Sequence, residues 1–266
     1  VTILDKIITE KEKEVKALKL ETAETTPVKP KSVPRIADSF RNTDTMNVIA
    51  EIKRASPSKG SINLEVDPAE QAKKYEACGA GAISVLTDKT FFQGSMDDVR
   101  NVREAVDLPI LCKDFFIDTV QIDQAKAAGA SIILLIVAAL SPEKLKELYE
   151  YATDQGLEVL CEVHDEEEMK QAIALDAAVM GINNRDLKTF NVSLDTFGQL
   201  ASMVTNPETV LISESGIKTR SDVFHVQNNG AKGILVGETL MRAHNLAAQF
   251  EALKVPISKE GPANAR

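Results

Sequence analysis

Two residues apart in the run VIAEIK, Glu51 and Lys53 pair a carboxylate with an ammonium group. In a strand that spacing points both side chains to the same face. A base and an acid held side by side can take a proton from one atom and give one to another. Similar polar residues close other apolar runs: Lys113 and Asp114 after PILC, Glu162 after LEVLC, Asn183 after AAVMGI, and Glu214 with Ser215 in TVLISES. A lysine that is protonated at neutral pH can donate to a developing alkoxide. Carboxylates in different surroundings can split acid and base work. Cys112 and Cys161 alternate with Lys113 and Glu162, so if the charged residues face inward the cysteines face outward and pack.

These residues need a frame that brings distant segments to one place. Short, β-rich apolar runs occur at 48–53, 82–87, 109–114, 131–137, 157–162, 177–183, 209–215 and 233–237. Amphipathic stretches such as PAEQAKKYEAC, DTVQIDQAKAA, SPEKLKELYEYATDQ and RSDVFHVQNN lie between them. Gly79, Gly129, Gly156 and Gly230 sit where a helix must end before a strand, a place for a left-handed turn. Eight strands alternating with helices predict an α/β protein, a (β/α)8 barrel of the TIM type. An open doubly wound sheet is the rival, but EIKRASPSKG stands where its Gly-rich fingerprint belongs. Residues 1–46 form a helical extension before the barrel, with Ile3, Leu4, Ile7, Ile8, Val15 and Leu18 on one helical face and a Lys/Glu-rich face opposite. The Pro-containing segment 21–34 reads as a linker or long loop. The expectation is one barrel domain over residues 1–266, with no fused second enzyme.

Composition narrows the function. The chain has 266 residues, 31 basic against 40 acidic side chains, and a net charge of −9. No broad basic face is available for nucleic acid or an anionic membrane. With 44% hydrophobic residues and no apolar run of membrane-spanning length, the composition is that of a soluble globular protein. The first residues hold no secretory stretch, so a cytoplasmic location is expected. Cys78, Cys112 and Cys161 fit neither zinc spacing nor a disulfide framework. A metal held by Glu51, Glu162 and Glu214 would be crowded by Lys53 and Lys113, and no histidine accompanies those carboxylates. His164, His225 and His244 read as incidental, with only His164 near a strand end.

In a barrel the strand ends build the site. Five polar strand ends therefore argue against a mere solvated rim. SESGI at 213–217 and VGETLMR at 236–242 suit a phosphate, because Gly237 leads straight into a helix start with free N–H groups. Gly237 is expected to let the substrate approach that helix closely. Lys53 and Ser56 could add donors. Glu238 places a carboxylate there, in the favourable first turn of the helix.

Taken in order, EIKRASPSKG, TFFQGS, ILCKDFF, LLIV, EVHDE, GINNRDL, SESGI and GETLM resemble the indole-3-glycerol phosphate synthase family over almost the whole chain. The related phosphoribosylanthranilate isomerases lack the Glu-x-Lys strand end and the KDFF segment. The resemblance implies a cofactor-free lyase of tryptophan biosynthesis, acting on 1-(2-carboxyphenylamino)-1-deoxyribulose 5-phosphate. It implies Lys113 as the general acid in ring closure, Glu162 or Lys53 as the acid of dehydration and Glu51 as the base. Asn183 and Glu214 would orient these groups. Arg185 and Ser215 match substrate-binding positions, Phe92, Phe115 and Leu134 an apolar pocket for the anthranilate ring, and Ser56, Gly216, Gly237 and Glu238 phosphate-contacting positions. A small phosphorylated substrate is the expected partner, with no metal, nucleic acid or membrane, and a monomer rather than an oligomer. Two rivals remain: an imine-forming sugar-phosphate aldolase or isomerase using Lys113, and a non-catalytic phosphate-ligand binder.

Overall fold

The computed structural model describes residues 2–20, 27–29 and 31–257. The barrel strands are β1 (Asn47–Ile52), β2 (Ala82–Leu86), β3 (Ile110–Lys113), β4 (Ile132–Ile136), β5 (Glu158–Val163), β6 (Val179–Asn183), β7 (Val210–Glu214) and β8 (Gly233–Val236). All neighbouring pairs are parallel, and β1 pairs with both β2 and β8 to close the ring. Every strand ends within one residue of its expected end, because each apolar run stops where the chain reaches the open face. The helices begin on caps written into the sequence. Asp67 and Ser141 each cap a helix whose first residue is proline, and Thr219 forms a capping box with Asp222. Gly79, Gly129, Gly156 and Gly230 all have positive φ, as expected.

Strand alternation sorts the core into two layers. Ile49, Leu111, Leu134, Leu160, Val179, Ile212 and Leu235 fill the barrel interior. Ala50, Cys112, Ile133, Cys161, Met180 and Ile234 pack outward among the helices. Cys112 and Cys161 are therefore buried packing residues; burial raises both thiols, Cys161 to about 12. At the N-terminal end of the barrel, Ile36, Ala37 and Phe40 join the interior cluster. The Glu158 carboxylate accepts from the backbone N–H groups of Ile36 (2.7 Å) and Ala37 (2.9 Å), tying that plug to β5.

Helix α1 (Ile3–Leu20) carries the extension. Its apolar stripe is as expected, with Ile7 and Val15 buried, but Lys11 corrects the polar-face assignment. Lys11 lies in the buried stripe, where its Nζ is 2.7 Å from Asp114, 3.0 Å from Asp88 and 2.6 Å from Glu14. Burial opposes that charge, yet the carboxylates outweigh it and keep the ammonium form. Asp88 and Asp114 follow β2 and β3, so this cluster fixes α1 to the face where strands end. The expected linker over 21–34 falls partly outside the described residues.

Candidate active site

The C-terminal ends of the strands surround a cavity of about 670 Å³. Glu51, Lys53, Ser56, Phe92, Lys113, Phe115, Leu134, Glu162, Asn183, Arg185, Glu214, Ser215, Gly216, Gly237 and Glu238 all line it. The inward face of each strand explains the convergence: Glu51 follows Ile49, Lys113 follows Leu111, Glu162 follows Leu160 and Glu214 follows Ile212, each two residues on. A barrel core thus runs directly into a polar floor.

Lys113 is the centre of that floor. Its Nζ donates to Glu162 (3.0 Å) and to Glu214 (2.9 Å). Burial disfavours its charge, but Glu162, Glu214 and Glu51 together hold it above an ordinary lysine. Glu162 is pulled the other way. Burial raises its pKa, but Lys113, His164 and Asn183 prevail and hold it well below the usual carboxylate range. Asn183 donates its Nδ2 to Glu162 at 3.0 Å, and its Oδ1 accepts the Arg185 backbone N–H at 3.1 Å. Glu214 moves oppositely, to about 7, because burial and the nearby Glu162 and Glu51 outweigh Lys113. The two carboxylates sharing one lysine are therefore driven apart in proton affinity.

In the same cavity, Lys53 donates to Glu51 at 2.5 Å. Glu51 is buried, whereas Lys53 keeps a face toward the cavity. Gly237 belongs to this pair more than expected. A Cβ there would meet Glu51 Oε1 at 2.3 Å and Lys53 Nζ at 3.3 Å, so the missing side chain makes room for the Glu51–Lys53 ion pair itself. Gly181 does the same for Glu214, whose Oε1 would lie 2.1 Å from an added Cβ. Gly216 combines positive φ (91°) with a Cβ path that meets Val192 Cγ1 at 2.6 Å, so only glycine fits that turn comfortably.

Apolar and polar rims divide the rest. The Phe92 and Phe115 rings lie 6.1 Å apart at 36°, beside Leu134. The cavity is also lined by Ser56, in the short hairpin Ala55–Ser56/Gly60–Ser61, together with Ser215, Gly216 and the helix Glu238–Met241 after β8. The Glu238 carboxylate pairs with Arg242 Nε at 3.2 Å and approaches Lys59 Nζ at 4.0 Å. Those cations answer the first-turn acid.

Some neighbours of the site were not anticipated. Ile3, Leu4 and Ile7 of α1 line the cavity, as do Leu187, Phe190, Val192 and Leu194 after β6. Asn184 is buried behind the site and donates to Ser213 Oγ, Glu214 O and Ser215 O, while its Oδ1 accepts from Phe197 N–H. The Asn-Asn doublet in GINNRDL was the visible sign: alternate side chains on a strand end serve opposite faces. His164, expected to be incidental, is not. Its Nε2 lies 3.1 Å from Glu162 Oε1 and its Nδ1 2.9 Å from Glu168 Oε2. His225 and His244 stay outside the cavity lining.

A closed parallel barrel whose strand ends gather a lysine among carboxylates, an aromatic pair and a glycine-bearing rim in one cavity belongs to the (β/α)8 class, with its candidate site at the C-terminal face. The family model for indole-3-glycerol phosphate synthase matches residues 4–253. The chain belongs to that family. It is 53% identical over 258 residues to the indole-3-glycerol phosphate synthase of Oceanobacillus iheyensis, covering 96% of this chain and 98% of that one. Against the same enzyme of Bacillus cereus strain AH820 it is 54% identical over 256 residues, covering 96% and 99%. Two solved structures share the fold. A thiamine phosphate pyrophosphorylase from Pyrococcus furiosus has TM-score 0.59 at 19% identity, covering 81% of this chain and 96% of that chain. An N-acetylmannosamine-6-phosphate 2-epimerase from Clostridium perfringens has TM-score 0.60 at 16% identity, covering 79% and 94%.

Proposed function

We propose that this cavity performs the family's reaction, the closure of 1-(2-carboxyphenylamino)-1-deoxyribulose 5-phosphate to indole-3-glycerol phosphate with loss of CO2 and water, in tryptophan biosynthesis. The observation that carries this reading is Lys113, an ammonium group anchored by two carboxylates beside an aromatic pocket. The anthranilate ring lies against Phe92, Phe115 and Leu134. Ser56, Ser215, Gly216, Gly237 and the Glu238 backbone receive the phosphate, and Arg185 adds a cation. The protein's net charge of −9 repels such a substrate, so Lys53, Lys113 and Arg185 supply the local attraction.

Lys113 protonates the ketone oxygen as the carboxylate-bearing ring carbon attacks the ketone carbon. The carboxyl carbon then leaves as CO2, and the electrons of its bond restore the aromatic ring. In the resulting hydroxyindoline, the hydroxyl takes a proton and departs as water while the neighbouring ring methylene loses a proton to Glu51. Lys53 supplies the first of these protons. Glu162 faces Lys113, Asn183 and His164 as a carboxylate and has no proton to give, whereas the Lys53 ammonium borders the cavity next to Glu51. Asn183 and Glu214 hold Glu162 and Lys113 in register.

The imine-forming alternative needs a neutral lysine. Three carboxylates favouring the ammonium form of Lys113 speak against it. Borohydride added during turnover tests the point. The enzyme should stay active and unchanged in mass; a reduced substrate adduct on Lys113 would overturn its role as a proton donor.

A further inference from the structure

His164 is a buried titratable group that the reaction above does not use. It follows β5, two residues beyond Glu162, so it continues the inward alternation and turns its ring to the same side. Its side chain is only 8% exposed. The charged groups facing the ring are Glu162, from β5, and Glu168, from the helix Glu166–Ala174; Lys113 lies beyond Glu162. Glu168 grips the residue twice, accepting from the His164 backbone N–H and contacting Nδ1, each at 2.9 Å. That leaves Nε2 directed to Glu162 Oε1 at 3.1 Å, a charge contact rather than a well-aligned hydrogen bond. The same oxygen accepts from Asn183, and the other oxygen takes Lys113.

We propose that the Glu168–His164 pair is a positioning device for Glu162, holding it as a fixed carboxylate so that it anchors Lys113 and is not itself a proton donor. This rests on the lyase reading above. The logic is that of an orienting acid behind a histidine, with the histidine here supporting a carboxylate. Burial lowers the His164 pKa, but Glu162 and Glu168 more than reverse that and bring it to about 10, so the ring is cationic at neutral pH. A cation at this point lowers the proton affinity of Glu162 and supplies a charge that neither Asn183 nor the backbone can replace.

The test compares H164L, H164Q and E168Q with the unaltered chain, using the carboxyphenylamino-deoxyribulose phosphate as substrate. Displacing a reacting group by about 1 Å can cost on the order of 100-fold. For H164L, kcat should therefore fall about 10- to 100-fold, with KM changed less than about twofold. Without the cation Glu162 takes a proton more readily and lets go of Lys113, so the acid limb of kcat/KM should move up by about one pH unit or more. H164Q should recover part of kcat without returning the limb, because it offers a donor but no charge. E168Q should show a smaller shift in the same direction. Circular dichroism establishes folding, and if H164L does not fold, H164Q and E168Q decide the matter by the same limb. An unmoved limb in folded variants would overturn the proposal, whether kcat fell or not. If the unaltered chain yields no indole product, it is the lyase reading that fails; if it turns over and the variants match it, only the positioning role fails.

Discussion

Replacing Gly237 by alanine adds a single methyl group, and the structure says where that methyl goes. The new Cβ would stand 2.3 Å from Glu51 Oε1, where ordinary carbon–oxygen contact begins near 3.4 Å. Glu51 must retreat by about 1 Å, and Lys53, bonded to it at 2.5 Å, must follow or let go. The φ of Gly237 is −112°, outside the left-handed region, so the effect arises from the added methyl. A misplacement of about 1 Å costs on the order of 100-fold when it affects a reacting group. kcat should therefore drop about 100-fold. Any change in KM should be smaller, because the N–H groups of the following helix, proposed to receive the phosphate, remain. Simple crowding of a phosphate would give the opposite split, with KM rising and kcat nearly kept. Steady-state indole fluorescence against a chain without tryptophan measures both constants. A folded G237A enzyme with unaltered kcat would refute the placement of Glu51 and Lys53 as the acid–base pair.

Three further outcomes follow from the same contacts. Lys113→Met removes the proposed general acid and leaves Glu162 and Glu214 facing each other; kcat should fall by about 10⁴, and single-turnover kinetics should show no ring closure on the normal timescale. Lys11→Met strands Asp88 and Asp114 without their buried cation, which costs about 3–5 kcal/mol, so Tm should fall by roughly 10 °C in a calorimetric scan. His164 has a folded pKa of about 10, above the 6.5 of a free imidazole. Its contribution to stability is thus complete below pH 6.5 and is lost as pH rises through about 10; denaturant titrations of H164Q should show a flatter pH slope than the unaltered chain across that window.

Strand positions were legible because the apolar runs are short, β-rich and bounded by helix-ending glycines. Fully buried parallel strands leave little else in a sequence. The floor was legible for a related reason: once Ile49 or Leu160 faces inward, Glu51 or Glu162 must as well. His164 escaped that logic because β5 was expected to stop at Glu162, while it runs to Val163 and carries the alternation one step further. Lys11 escaped because a charge in a helical stripe reads as solvated until the partner carboxylates are in place, and Asp88 and Asp114 come from loops 77 and 103 residues away in the chain. The role of Gly237 needed coordinates too, since a glycine before a helix tells nothing about which side chain occupies the space it leaves. Leu187, Phe190 and Val192 belong to a loop whose path no periodicity describes.

The most direct test of the central claim is turnover of 1-(2-carboxyphenylamino)-1-deoxyribulose 5-phosphate carrying an isotopic label in its carboxyl group. The purified chain should release one labelled CO2 for each indole chromophore formed, with no added metal or cofactor. A folded sample that binds this compound but gives neither labelled CO2 nor indole fluorescence would contradict the account.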